Sequence, residues 1–88
     1  MPHPFPNLLA GQVAVVYSEH ATGITLSLDG RWNNDPVSSP YHIFSTEQEA
    51  MQAAQWFLHH HPRAEARIYD AKQKTLRRII PHDHGENA

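Results

Sequence analysis

The sequence predicts a small α+β domain in which one helix packs on one face of an antiparallel sheet of four or five strands. Three observations lead to this prediction. Short β-branched or alternating segments flank a single helical segment, two pairs of strand segments are joined by short polar loops, and the helical segment has one apolar stripe. A sheet and a helix that each have an apolar face bury those faces against each other. The predicted order is β-β-(β)-α-β-β.

The chain of 88 residues fits one domain. We assign residues 12–80 to that domain, residues 1–11 to a proline-rich lead, and residues 81–88 to a disordered tail with histidine and acidic side chains. A domain of this size buries only about 60% of its surface, so its stability is expected to be marginal. The absence of cysteine excludes a disulfide scaffold, a thiolate metal site and a cysteine nucleophile.

Two strands are predicted before the helix, joined as a β-hairpin. Gln12–Ser18 is β-branched and apolar on both faces, which is typical of a central strand covered on both sides. In Ile24–Gly30 apolar and polar residues alternate up to the final Asp-Gly, so one face is expected to be buried. His20–Gly23 supplies the turn between them.

A loop, a short strand and the helix follow. Arg31–Pro40 is polar with two prolines and predicts a loop, and Tyr41–Phe44 predicts a short third strand. Ser45 or Thr46 can cap the helix, since each has a glutamine or glutamate three residues later, and Pro62 must end it. At about 100° per residue, one stripe collects Ala50, Ala53, Ala54, Phe57, Leu58 and His61, with Met51 at its margin.

The last predicted element is a second hairpin, formed by Ala64–Asp70 and Thr75–Ile80 around a polar loop. Six of the seven basic residues lie between Pro62 and Ile80, although the net charge of the chain is −2. This segregation predicts one basic edge or face. A basic ribbon with an aromatic side chain can bind nucleic acid, and this is our alternative functional hypothesis. Its residues are Arg67, Tyr69, Lys72, Lys74, Arg77 and Arg78. The competing interpretation is an edge strand that positive charge protects against pairing with other sheets.

The eight histidines raise the question of a metal site. Two ligands on one helix need a spacing of three or four residues, whereas His59, His60 and His61 are adjacent and point in different directions around the helix axis. A polar helix end, where imidazolium complements the helix dipole, explains them. His82 and His84 in the tail could chelate weakly, and His42 is a lone histidine in a short strand. We assign no metal ligand and no cofactor, and keep a weak histidine site as a third hypothesis.

No catalytic motif is present, and the few glycines form no phosphate-binding loop. Ser18, His20 and Asp29 could be combined into a triad, but most chains contain such residues. One thin sheet with one helix seldom encloses a reaction pocket. We therefore predict that the protein is not an enzyme.

Tryptophan and tyrosine are over-represented as anchors of protein interfaces. Trp32 in the polar loop, Trp56 on the flank of the helical stripe, and Tyr41 form our predicted protein interface. The main hypothesis is a small binding domain of accessory, inhibitor or immunity type, with another protein or a second copy as its partner. The Phe44–Ala50 motif is typical of small bacterial domains. No signal peptide or membrane-spanning run is recognised, so we expect a cytoplasmic protein without membrane attachment.

Overall fold

A computed structural model describes residues 4–33 and 39–80. The elements in chain order are β1 (Val13–Glu19), β2 (His42–Phe44), α1 (Glu47–His60), β3 (Ala64–Tyr69) and β4 (Thr75–Ile79). The strands form one antiparallel sheet in the order β2-β1-β3-β4, and α1 packs against it. The predicted α+β class, with one helix on a small antiparallel sheet, is confirmed. The predicted tail at residues 81–88 lies outside the described residues.

The strand register defines two faces of the sheet, because cross-strand partners point to the same side. Val15 pairs with His42 and with Ile68, and these residues face α1. We call this the helix face. Ala14 pairs with Tyr69 and Arg67 pairs with Arg78 on the opposite side, which we call the outer face. β1 is therefore a central strand, as its composition predicts.

The core lies between the helix face and α1. The ring of Tyr17 in β1 stacks on Phe57 of α1, with ring centroids 3.8 Å apart. The predicted stripe of α1 is confirmed, since Ala50, Ala54, Phe57 and Leu58 are its buried residues. The other core residues are Val13, Val15, Leu26, Ala64, Ala66, Ile68 and Ile79.

The bounds of α1 have local causes. The side chain of Thr46 accepts a hydrogen bond from the backbone N–H of Glu49 at 3.1 Å, so Thr46, rather than Ser45, is the N-cap. The backbone N–H of Ser45 donates to the Glu49 carboxylate at 3.2 Å. The helix ends at His60, and Pro62 follows the C-cap residue His61. The helix and its capping pattern are thus confirmed.

The predicted strand over Ile24–Gly30 is wrong, since the segment forms no strand between β1 and β2. Thr25 and Leu26 form only isolated bridges, to Ser18 and to Trp32. The chain then turns, with Gly30 at a φ of 83° and Leu28, predicted to be buried, 61% exposed. The physical reason is the edge of β1, which β2 already occupies over Val13–Val15. Only the end of the β1 edge beyond Val15 remains for pairing with residues 24–30.

The N-terminal segment also contacts the domain. The ring of Phe5 packs edge-to-face against Tyr41 and Tyr69, with centroid distances of 5.3 and 5.9 Å. Tyr69 belongs to the outer face, so part of the predicted lead covers one end of that face. No helix within the described ranges, 4–33 and 39–80, is long and apolar enough to cross a bilayer.

Candidate interaction surfaces

A cleft of about 290 Å³ opens at the end of the sheet where β1 ends and β3 begins. Trp32 and His60 are among the residues that line it. Leu26 and Ala64, which also line it, are 6% and 1% exposed, so the cleft reaches the edge of the core. Its charged lining residues are Glu19 and Arg63. The cleft therefore combines an apolar floor with a mixed, nearly neutral rim.

Trp56 adjoins this cleft through His60. The two rings lie 4.2 Å apart between centroids, and Nδ1 of His60 hydrogen-bonds the carbonyl oxygen of Trp56 at 2.9 Å. Trp56 is 63% exposed and Trp32 is 53% exposed. We call Trp32, His60 and Trp56, with the cleft, the indole surface. Two of the three predicted interface residues thus lie at this end of the fold, Trp32 in the lining of the cleft and Trp56 against its lining residue His60.

His61 fixes the back of the cleft. Its ring packs on Phe57 with centroids 4.5 Å apart and lies directly against the backbone of Gly30. A side chain at Gly30 would collide with that ring, and the φ of 83° there favours glycine. The loop bearing Trp32 is therefore held close to the C-terminal end of α1.

The third predicted interface residue, Tyr41, is placed elsewhere. Its ring contact is with Phe5, on the outer face, rather than with either indole. The structure therefore brings together Trp32 and Trp56 but does not add Tyr41 to them.

The second notable cluster centres on Glu65, which is 2% exposed although it lies on the outer face. Its carboxylate accepts hydrogen bonds from Arg67 Nε at 3.1 Å and from Arg78 Nη2 at 3.1 Å. Nδ1 of His20 lies 2.8 Å from the same carboxylate. We call Arg67 and Arg78 the guanidinium pair.

The ionisation of Glu65 follows from these contacts. Burial alone would raise the pKa of Glu65, but hydrogen bonds from Arg78 and His20, together with the charges of Arg78 and Arg67, lower it below its ordinary value. The same hydrogen bond raises the pKa of Arg78. The carboxylate is therefore ionised near neutral pH and offsets one of the two positive charges beside it.

The remaining predicted nucleic-acid residues do not share one surface. Tyr69 lies on the outer face with the guanidinium pair. Arg77 lies on the helix face, where its Nε donates to Glu47 of α1 at 2.7 Å. Lys72 and Lys74 lie at the turn of the last hairpin, where Asp70 accepts hydrogen bonds from both backbone N–H groups at 2.9 Å. The basic hairpin is therefore divided between two faces and a turn.

The described histidines lie on different parts of the fold, with His20 after β1, His42 in β2 and residues 59–61 at the end of α1. His42 lies on the helix face near Tyr17, its Nε2 is buried without a hydrogen-bond partner, and burial lowers its pKa. Burial also raises the pKa of Tyr17 to about 12. Within residues 4–33 and 39–80, no three histidine or acidic side chains are grouped so that they could hold a metal ion. His82 and His84 lie outside the described residues.

The contact of His20 with Glu65 was not predicted from the sequence, where His20 was grouped with Ser18 and Asp29. The two residues are 45 positions apart, and Asp29 instead accepts a hydrogen bond from the backbone of Arg31. Two sequence signals could have located the rest of the cluster: the register of the predicted hairpin places Arg67 opposite Arg78, and the alternation of β3 places Glu65 and Arg67 on one face.

Comparison with family models, curated proteins and solved structures finds no match for this chain.

Proposed function

We propose that this domain is a non-enzymatic protein-binding module, and that its partner inserts an apolar side chain into the cleft of the indole surface. The observation that carries the proposal is the exposure of two indoles, Trp32 in the lining of the cleft and Trp56 against the cleft residue His60. An accessory, inhibitor or immunity role in the cytoplasm is the setting that we propose for it.

The energetics favour association at this surface. Tryptophan is enriched among interface residues whose truncation costs about 2 kcal/mol or more, especially beside well-packed pockets. Most of the surface of Trp56 is exposed to solvent, and this side chain is not part of the buried core. Covering the indole removes that area from water and so favours binding.

The cleft itself indicates what the partner presents. Its volume of about 290 Å³ lies at the lower limit of small-molecule pockets, which span about 300–1,000 Å³. That space fits one large side chain. Because Glu19 and Arg63 offset each other at the rim, an uncharged apolar side chain such as leucine or phenylalanine is the occupant that fits best.

The test is quantitative affinity capture from host lysate with the wild type, Trp32→Ala and Trp56→Ala, followed by measured affinity for the captured protein. We expect both variants to bind at least about tenfold more weakly, which corresponds to about 1.4 kcal/mol, while their melting temperatures stay close to that of the wild type. Leu9→Ala is the matched control, since Leu9 is 72% exposed and does not line the cleft.

Light scattering on the purified protein tests the case in which the partner is a second copy. A dimer that Trp56→Ala dissociates would identify the partner as the protein itself. Retained affinity and unchanged oligomeric state in both tryptophan variants would overturn the proposal.

A further inference from the structure

The guanidinium pair is an unusual arrangement for a sheet surface. Arg67 and Arg78 are direct cross-strand partners, and like charges in that relation destabilise a sheet. Burying a carboxylate also costs free energy. The two costs are offset together, because Glu65 accepts hydrogen bonds from both guanidinium groups. The result is two arginines fixed side by side with one surplus positive charge.

Both arginines keep hydrogen-bonding capacity for a ligand. Arg67 donates to Glu65 through Nε, which leaves its two Nη groups, and Arg78 uses Nε and Nη2, which leaves Nη1. Their side chains are 45% and 50% exposed. A guanidinium group cannot lose its charge at physiological pH, so the pair keeps its positive charge and can attract an anion over the whole physiological pH range.

Aromatic and apolar side chains lie beside the pair on the same face. Arg67 of β3 pairs with Val16 of β1, and Tyr69 is the next residue of β3 on this face. Tyr41 and Phe5 contact each other beyond it, and Phe5 also contacts Tyr69. Arginines next to aromatic rings on the surface of a sheet are the combination that binds phosphates and stacks bases of single strands.

We propose that the outer face binds single-stranded nucleic acid, with backbone phosphates at Arg67 and Arg78 and a base against Tyr69. Guanidinium groups bind carboxylates as well as phosphates. A carboxylate side chain does not stack on the neighbouring aromatic rings, whereas a nucleic-acid base does. This activity goes beyond the proposed protein-binding function and uses the opposite side of the sheet from α1.

The test is fluorescence anisotropy of the full chain with labelled oligouridylate and oligothymidylate of about 12 nucleotides, a length within the range of known single-strand sites. Two phosphate contacts predict a slope of about −1.4 for log K against log salt, since each contributes about −0.7. Affinity should therefore fall about sevenfold between about 50 and 200 mM salt. No saturable binding at the lower salt concentration would overturn the proposal.

Adjacent residues of β4 supply a matched pair of variants. Arg78→Gln should weaken binding and reduce the slope to about −0.7, whereas Arg77→Gln, on the helix face, should leave both unchanged. Tyr69→Leu should weaken binding without changing the slope. Equal losses in Arg77→Gln and Arg78→Gln would show unspecific attraction to the hairpin and would contradict the assignment to the outer face.

Removing Arg78 alone takes a hydrogen-bond partner from the buried carboxylate of Glu65, which destabilises the folded domain. The double variant Glu65→Gln, Arg78→Gln removes the carboxylate with its partner, and it should fold but bind weakly. A labelled oligoglutamate peptide that binds as tightly, with the same dependence on Arg78, would overturn the preference for nucleic acid. Trp56→Ala should bind oligonucleotide normally, so this proposal and the protein-binding proposal can fail independently.

Discussion

The rings of Tyr17 and Phe57 stack with an interplanar angle of 11° and a centroid distance of 3.8 Å. Both residues are almost fully buried, at 1% and 2% exposure. Tyr17 belongs to the central strand and Phe57 to the only helix of the described residues, so this contact joins the two layers of the fold.

Phe57→Ala should therefore destabilise the domain strongly. Loss of a buried phenylalanine side chain typically costs about 3–5 kcal/mol, which is a large share of the stability of a small domain. Unfolding by urea, followed by circular dichroism, measures the change. Trp56→Ala at the neighbouring exposed position is the control and should cost less than about 1 kcal/mol. Similar losses in the two variants would contradict the packing described above.

Two glycines allow the contact between Gly30 and His61 to be isolated. Gly23 and Gly30 have positive φ values of 76° and 83°, but a side chain at Gly23 would meet no atom within 4 Å. Alanine at either position should cost about 1 kcal/mol through backbone strain. Gly30→Ala should cost more, because it also displaces the imidazole of His61. Thermal unfolding of both variants makes the comparison, and equal costs would argue against that contact.

His42 makes stability depend on pH. Its pKa is lowered in the folded state by burial, so the unfolded chain binds a proton first as the pH falls below its ordinary value of about 6.5. The contribution of neutral His42 to stability is therefore present above that pH and is lost progressively below it. His42→Phe should lose less stability between about pH 8 and pH 5 than the wild type. Identical pH dependence in the two proteins would contradict the burial of this imidazole.

Glu65 has the opposite charge and titrates at lower pH. Its pKa is lowered in the folded state, so its contribution is present above the unfolded value and is lost as the pH falls through the folded value. Glu65→Gln should cost about 1–3 kcal/mol at neutral pH, because two adjacent guanidinium groups lose their anion. The variant should also lose less stability on acidification. Urea unfolding at neutral and acidic pH provides the measurement, and an unchanged acid dependence would speak against the cluster.

The sequence predicts the parts of the fold that are set locally. The helix is correct because its apolar stripe, its N-cap and Pro62 all lie within one continuous segment. The last hairpin is correct because its two strands are joined by a short turn. Tyr17 and Phe57 could each be assigned to the core from periodicity, although their mutual stacking could not.

The errors arise where distant segments compete or meet. Ile24–Gly30 has a strand-like pattern, but β2 takes part of the edge that it would need. Periodicity within one segment cannot reveal that competition. The cluster around Glu65 combines the ends of β1, β3 and β4, so it depends on the strand order rather than on any motif. Trp32 and Trp56 were identified by residue type, and helix periodicity places His60 beside Trp56, whereas the cleft that Trp32 and His60 both line depends on the fold.

The exposure of both indoles has a spectroscopic consequence. Because Trp32 and Trp56 are 53% and 63% exposed in the folded protein, their emission should already resemble that of indole in water, and unfolding should shift its wavelength little. Docking of a partner on the indole surface would instead move the emission to the blue. Native fluorescence of this chain is thus suited to reporting complex formation, and is a poor reporter of denaturation.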